Sequence, residues 1–392
     1  MNPLLLQPEV QDYIIANTDV SVTKLALQKN PFPQIEWSQI LEQIASRQKA
    51  KDKLPTWFAA DGILYPSKIS VEQTSSEKTA AYKASLISGN VLIDLTGGFG
   101  IDDYYFSKQF ESVVHCEINE NLSKIVNHNF KTIQVDNVAC YCGDSTDLLE
   151  ELNRKPDWIY IDPSRRNDAK GKVFLLKDCT PNVPELLDIY FNYTQNILIK
   201  TAPILDISAG LNELKNVKKI HIIAVDNEVK ELLWEISKGY TERVAISTVN
   251  LKKESTETFD FILNENQQPD VFHLPQKYLY EPNSAIMKSG GFAEVGLHFH
   301  LNKLHPHSQL YTSEKQIDFP GRVFEIRHIL PYHKANIKSF LEGKKANVTT
   351  RNFPETVETL RKKWKIKDGG DGYCFFTTDV NNDKIVLLCS KI

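Results

Sequence analysis

The stretch VLIDLTGGFGIDD, Val91 to Asp103, constrains this chain more than any other. Apolar residues run into Asp94, and three glycines, Gly97, Gly98 and Gly100, then fall within four positions. A buried strand that ends on an acid and turns at once through glycines lets the polar end of a ligand approach backbone N–H groups. Spacing excludes two common ligands. A nucleoside triphosphate loop needs G-x-x-x-x-G-K-[ST], which the chain lacks. A dinucleotide fingerprint needs a third glycine where Asp103 stands, because helix and strand must pack closely there.

From about 90 to 265 the chain alternates strand-like runs with amphipathic segments. The runs are NVLIDL, SVVHCEI, VACYC, DWIYID, NILIKTA, KKIHIIAV, RVAISTVN and FDFILN, and the segments include NLSKIVNHNFKTI and TDLLEELN. The alternation predicts an α/β fold with a Rossmann-like doubly wound sheet and an antiparallel pair at the edge where the last runs crowd together. Residues 1–74 read as helical, with Ile40, Leu41 and Ile44 forming the apolar side of WSQILEQIASRQKAKDKL. A helix follows at SSEKTAAYKASLI, capped by Ser75 or Ser76. Beyond 268 the pattern changes. Residues 269–320 carry β-like runs such as FAEVGLHFHLN. Residues 321–392 read β, α, β, β, with RVFEIRHIL as a strand and a helix in FPETVETLRKKWKI. A hairpin of GYCFFTTDV and KIVLLCSKI closes the chain around Asn381 and Asn382. The expected segments are 1–74, 75–268, 269–320 and 321–392.

The six cysteines include one close pair, Cys140 and Cys142, which makes neither a disulfide framework nor a zinc site. Reduced thiols in the cytoplasm are expected. No apolar run reaches the ~18 residues of a membrane span, and the start MNPLLLQPEVQDYI lacks the basic region of a signal peptide. The formal charge of -4 is unevenly spread: 14 Lys/Arg stand against 8 Asp/Glu from Gly321 onward, and 32 against 42 before it. A cationic module on an acidic chain predicts a polyanionic partner. In LRKKWK, four cations surround Trp364, which either stacks on a base or sits in the core of an amphipathic helix.

The acid-first order D-x-x-G-G-x-G resembles the first motif of class I S-adenosylmethionine-dependent methyltransferases, with Thr96 in the place of its first glycine. The resemblance implies that Asp94, Thr96, Gly97, Gly98, Phe99 and Gly100 hold the methionine end of S-adenosylmethionine. It places Glu117, with Ile118, on the ribose and Asp144, with Ser145, on the adenine. The fourth strand ends in Asp162-Pro163-Ser164-Arg165, which resembles the Asp/Asn-Pro-Pro-aromatic motif of enzymes that methylate exocyclic amines of bases. Those four residues are the expected catalytic set. Ser164 and Arg165 depart from the motif, although an arginine plane also stacks on a base and Arg166 can meet a phosphate.

The whole chain is similar to a bacterial family of class I methyltransferases that end in a THUMP-like domain. SSEKTAAYKA, DLTGGFGID, IDPSRR, YLYEPNSAIMKSG and NVTTRNFPETVETLRKKWKIKDGGDGYCFFTT carry the likeness. It implies a ferredoxin-like segment at 269–320 and a THUMP-like domain at 321–392. By analogy with true THUMP domains it also implies an RNA partner, tRNA or rRNA. Lys344, Lys345, Arg351, Arg361, Lys362 and Lys363 are the residues expected on its phosphates. The expectation is therefore a cytoplasmic methyltransferase acting on a base in RNA, without metal and away from membranes. The alternatives are a methyltransferase for a small molecule or protein, and a non-catalytic RNA-binding protein on the same fold.

Overall fold

The computed structural model describes residues 1–152, 155–165, 175–265 and 270–392. The chain forms two compact units, one from Met1–Lys218 with Leu233–Thr241, the other from Lys219–Leu232 with Glu242–Ile392.

The first unit opens with helices α1 (Pro8–Ala16), α2 (Val22–Ala26), α3 (Trp37–Lys53), α4 (Pro55–Ala59), α5 (Lys68–Gln73) and α6 (Glu77–Leu86). On α3, Ile40 and Ile44 are buried as the spacing requires, while Leu41 is half-buried. Ser76 is the cap of α6, accepting the Thr79 N–H at 3.2 Å. These helices do not form a core of their own. Ile44, Trp57 and Tyr65 share one cluster with Phe99, Ile101, Val126 and Phe130 of the nucleotide-type fold that follows.

That fold alternates β1 (Gly89–Asp94), α7 (Ile101–Phe106), β2 (Phe110–Glu117), α8 (Glu120–Thr132), β3 (Val138–Cys142), α9 (Ser145–Glu151) and β4 (Trp158–Ile161). A two-residue pair, β5 (Ser164–Arg165) and β6 (Cys179–Thr180), precedes α10 (Val183–Tyr190), β7 (Asn196–Thr201) and α11 (Ile207–Glu213). The strands β7, β4, β1, β2 and β3 lie side by side in that order, all parallel. Parallel strands are covered on both faces, which is why Ile159, Ile161, Ile197, Leu198 and Ile199 read as continuous apolar runs and are buried. The chain winds outward from β1 in one direction, then resumes at β4 on its other side. The switch point between β1 and β4 opens a crevice at the carboxyl ends of the strands, where such sheets bind ligands.

Strands β8 (Val217–Val225) and β9 (Glu228–Ser237) carry residues of both units. The sequence pattern gave no strand at β9. Its four charges, Glu228, Lys230, Glu231 and Glu235, mask a run whose Leu232, Leu233, Trp234 and Ile236 are fully buried. In the second unit β10 (Ala245–Leu251) pairs in parallel with β8 and antiparallel with β11 (Thr256–Ile262), the expected edge pair.

The rest of the second unit is β12 (Tyr278–Pro282), α12 (Ser284–Ser289), α13 (Phe292–Phe299), β13 (Asn302–Lys303), β14 (Tyr311–Ser313) and β15 (Gly321–Pro331). It continues with α14 (Lys334–Phe340), β16 (Asn347–Arg351), α15 (Val357–Trp364), β17 (Gly372–Thr378) and β18 (Lys384–Lys391). One seven-stranded sheet, in the order β13-β14-β12-β15-β18-β17-β16, spans residues on both sides of Gly321. Two expectations need correction. The first eight residues of FAEVGLHFHLN form the helix α13, because Phe292, Val295 and Phe299 keep a helical spacing that alternation mimics over so short a run. The stretch after Gly321 reads β, α, β, α, β, β. The extra helix α14 buries only Ile337, and β16 is half-covered, so neither shows a strong period.

All six cysteines are free. No helix among the described residues is long and apolar enough to cross a membrane.

Candidate active site

The crevice is built on Asp94. Its side chain is buried, and one oxygen accepts the Thr96 backbone N–H at 2.7 Å and the Thr96 hydroxyl at 3.1 Å. The three glycines serve different ends. A Cβ on Gly97 would land inside the His115 ring, and one on Gly100 (φ +76°) would sit 2.7 Å from Phe130. Gly98 turns at φ +56°, yet a Cβ there would meet nothing nearer than 3.7 Å. Gly97 is thus required by packing, Gly100 by packing and backbone angle alike, and Gly98 by its backbone angle alone. Phe99 points down into the core, 6.4 Å from the Trp57 ring and 6.2 Å from Tyr65.

Neighbouring strand ends converge on this turn. Glu117 accepts the Gly98 N–H at 3.1 Å and the Asn119 N–H at 2.7 Å, and Ile118 beside it is 74% exposed. The Gly143 N–H donates to the Glu117 carbonyl at 3.2 Å, which ties in the third strand. Asp144 follows there, exposed, and caps α9 by accepting the Thr146 N–H at 2.7 Å; Ser145 opens that helix. Asp162 is half-buried at the end of β4. Its N–H donates to the Thr96 hydroxyl at 2.6 Å, and its carboxylate pairs with Lys200 at the end of β7. Pro163 is buried, and the exposed Ser164 donates to the Thr180 carbonyl at 3.4 Å. The Arg165 backbone pairs with Cys179; its side chain and all of Arg166 lie outside the described residues.

Two buried clusters lie behind these residues. In one, Asp103 meets the His115 ring at 2.6 Å, next to Asp94. Burial lifts the Asp94 and Asp103 carboxyls well above the usual range, reinforced by the charge of Asp103 on the first and of Asp102 on the second; burial also lowers the His115 imidazole. In the other cluster, Asp102 is surrounded by donors. It accepts the Ser75 hydroxyl at 2.9 Å and the Tyr160 hydroxyl at 2.8 Å, and fully buried Lys83 stands 3.2 Å away. Burial pulls the Asp102 carboxyl upward, but Lys83, Lys200 and the two hydroxyls outweigh it and hold the group below the usual range.

Sequence reasoning missed Ser75, Lys83, Asp102, Tyr160 and Lys200. A signal existed for Lys200, a charge closing the apolar run NILIKTA. Nothing comparable marks Lys83, which lies on a helix of mostly small residues.

The cationic residues expected on RNA belong to the second unit. Arg351 donates to buried Glu281 at 2.9 Å, Arg361 pairs with Asp368, and Lys363 pairs with Glu355 at 2.9 Å. Lys344, Lys345 and Lys362 are exposed and have no carboxylate partner among the described residues. Lys345 bridges Lys367, whose N–H donates to the Lys344 carbonyl at 2.9 Å, so three lysines gather on adjoining loops. Trp364 is buried and donates to the Tyr332 hydroxyl at 3.3 Å, which makes it a core residue. Among the described residues no group of His, Cys, Asp and Glu could hold a metal ion.

Five parallel strands of a nine-stranded sheet, with acids and an acid-first glycine turn at the switch point, are the arrangement of a class I methyltransferase fold. Comparison with known proteins narrows the class. A ferredoxin-like domain description matches residues 278–320, and a THUMP domain-like description matches residues 321–391. The solved structure of a candidate methyltransferase from Porphyromonas gingivalis W83 is 30% identical, covers 100% of this chain and 98% of that one, and superposes with a TM-score of 0.89. An uncharacterised RNA methyltransferase from Clostridium acetobutylicum is 30% identical over 107 residues, 27% of this chain and 23% of that protein. The chain thus spans under a quarter of that curated relative. Full-length identity to the Porphyromonas protein places the chain in its family, the class I methyltransferases with ferredoxin-like and THUMP-like domains.

Proposed function

We propose that this chain is an S-adenosylmethionine-dependent methyltransferase that modifies a base in RNA, tRNA or rRNA. The observation that carries the reading is the Asp162 carboxylate, fixed at the switch point beside a glycine turn ringed by strand-end acids.

The residues present fit the cofactor. A Cβ on Gly98 would meet only the Thr96 carbonyl, at 3.7 Å, so a ligand can approach that side of the turn, and Asp94 holds the turn from beneath. Each Glu117 oxygen accepts one N–H and keeps a lone pair for a ribose hydroxyl. Ile118 offers an apolar face to a flat ring, with Asp144 and Ser145 at its edge. When bound, the cofactor supplies a methyl group on a sulfonium, already a good leaving group. The chain's own part is positioning. Asp162 and the Pro163 carbonyl accept N–H groups of the base, so that the nitrogen lone pair faces the methyl group. The proton that the methylated nitrogen sheds leaves to water.

The RNA part rests on the THUMP domain-like match, on the name of the Clostridium relative, and on the lysines at 344, 345 and 367. A cytoplasmic place follows from that substrate. Mass spectrometry of tRNA and rRNA nucleosides from a deletion strain, with and without plasmid copies of wild type and Asp162→Ala, tests the reading. Loss of one methylated base, restored by wild type alone, is expected. A ribose-methylated nucleoside in its place would overturn the base target, and unchanged RNA would favour a small-molecule or protein substrate.

A further inference from the structure

The proposed reaction depends on where the Asp162 carboxylate points, and one side chain grips it. We propose that Lys200 is a positioning residue for Asp162, seated on Ser75, Lys83 and Asp102. The inference rests on the methyl-transfer reading of the site.

Lys200 lies one residue from the end of β7, after three fully buried residues, Ile197, Leu198 and Ile199, and its own side chain is 11% exposed. An ammonium that deep is costly unless carboxylates and hydrogen bonds offset it. Two carboxylates and a hydroxyl do so. The ammonium pairs with Asp162 Oδ2, lies 3.3 Å from Ser75 Oγ and stands 4.0 Å from Asp102 Oδ2. The seat is itself anchored: Lys83 donates to the same Ser75 oxygen at 3.0 Å and stands 3.2 Å from Asp102. Lys83 and Asp102 already balance each other in charge. A lysine needed only for folding would have no reason to reach from that buried pair to a half-buried carboxylate at the mouth. By taking Oδ2, Lys200 leaves Oδ1 to a substrate N–H. The Asp162 backbone is meanwhile held by Thr96 of the glycine turn. Asp162 is therefore fixed from two sides, by the cofactor turn and by β7.

The test uses the full-length protein, methyl-tritiated S-adenosylmethionine and bulk tRNA and rRNA from a strain lacking the protein. Lys200→Met should lower kcat about 100-fold, the cost of misplacing a reacting group by an ångström, while KM for S-adenosylmethionine changes less than about twofold. Lys200→Arg should recover at least a tenth of the wild-type rate. Crystals of Lys200→Met should show the Asp162 carboxylate moved or spread over several positions. Wild-type kcat in Lys200→Met, or an unmoved Asp162, overturns the proposal. Should Lys200→Met not fold, Ser75→Ala loosens the seat more gently, with a loss of about fivefold expected, the scale of one hydrogen bond. A Ser75→Ala protein with wild-type kcat and an unmoved Lys200–Asp162 pair likewise overturns it. Absence of methyl transfer by wild type on bulk RNA removes the proposed function instead, and the variant crystal structures then decide the role of Lys200 alone.

Discussion

The two units handle charge in opposite ways. At the switch point of the first unit, Lys83, Asp103 and His115 are buried, the Asp102 side chain is 11% exposed, and each is locked into contacts at a few ångströms. In the cationic module of the second unit, the cations are exposed or half-exposed, and half of those expected on RNA are matched by acids beside them, of which Glu281 alone is buried. Buried charges interact strongly because little water screens them. Surface charges are screened and act only as a sum. Single substitutions should therefore be severe in the first unit and slight in the second, where only groups of cations matter.

The largest effect is expected at Asp162. Asp162→Ala should reduce methyl transfer by about 10³-fold, the scale of losing one preorganised polar contact at the reacting centre. Affinity for S-adenosylmethionine, read by calorimetry, should stay within a few-fold. Turnover near wild type would break the catalytic assignment. Next is the comparison itself, made with one residue type. Lys83→Met leaves Asp102 short of a buried partner and should cost about 3–5 kcal/mol in urea unfolding. Lys362→Met, on the exposed face of α15, should change stability by less than about 0.5 kcal/mol. Similar costs at both sites would show that burial does not separate the two regions.

A smaller effect comes from pH. Burial first, then neighbouring charge, lifts the Asp94 and Asp103 carboxyls in the folded chain, which keeps protons that the unfolded chain sheds near the ordinary value of 3.8. Their contribution is whole below that value and is lost as pH rises, at most about 1.4 kcal/mol per pH unit for each proton. Asp102 has the opposite sign. Its depressed carboxyl stabilises above 3.8 and loses that contribution as pH falls through its folded value. His115, lowered by burial, also acts in the opposite sense to Asp103 as pH falls below 6.5, so the quantity to read is the difference between two proteins. Stability of Asp103→Asn should fall less steeply than wild type between about pH 4.5 and 7.5. Parallel curves in urea unfolding would count against a proton held by Asp103 beneath the glycine turn.

The same contrast explains what could be read from the sequence. Asp94, Glu117, Asp144 and Asp162 stand out because each follows a strand of apolar residues, so position alone marks them. Lys200 satisfies that rule too, but its meaning depends on Asp162 and Ser75, which lie 38 and 125 residues away. Lys83 was illegible: on a helix of small residues, spacing does not distinguish a buried lysine from a solvated one. Strand β9 was hidden by its four charges, one of them, Glu231, buried with the apolar run, and α13 by a run too short to separate two periods. In the second unit the count of cations was legible, yet it overstated the free charge. Counting does not reveal that Glu281, Glu355 and Asp368 already hold Arg351, Lys363 and Arg361.

That overcount yields the finest test. Each phosphate neutralised by a cation releases counterions, so the logarithm of affinity falls with the logarithm of salt by about 0.7–0.9 per contact. A cation already paired with a carboxylate must break that pair before it can meet a phosphate, and contributes less. Two triple variants of equal charge separate the cases. Replacing Lys344, Lys345 and Lys362 with alanine should flatten the salt slope by about 2–3. Replacing Arg351, Arg361 and Lys363 should flatten it less, because cations already held by Glu281, Glu355 and Asp368 contribute less to phosphate contact in the wild type. Filter binding of bulk tRNA at several salt concentrations, with wild type beside both variants, reads the two slopes. Equal flattening would mean that these ion pairs open freely on binding. No flattening in either variant would remove this face from the RNA interface and leave the THUMP-like match as the remaining argument for RNA.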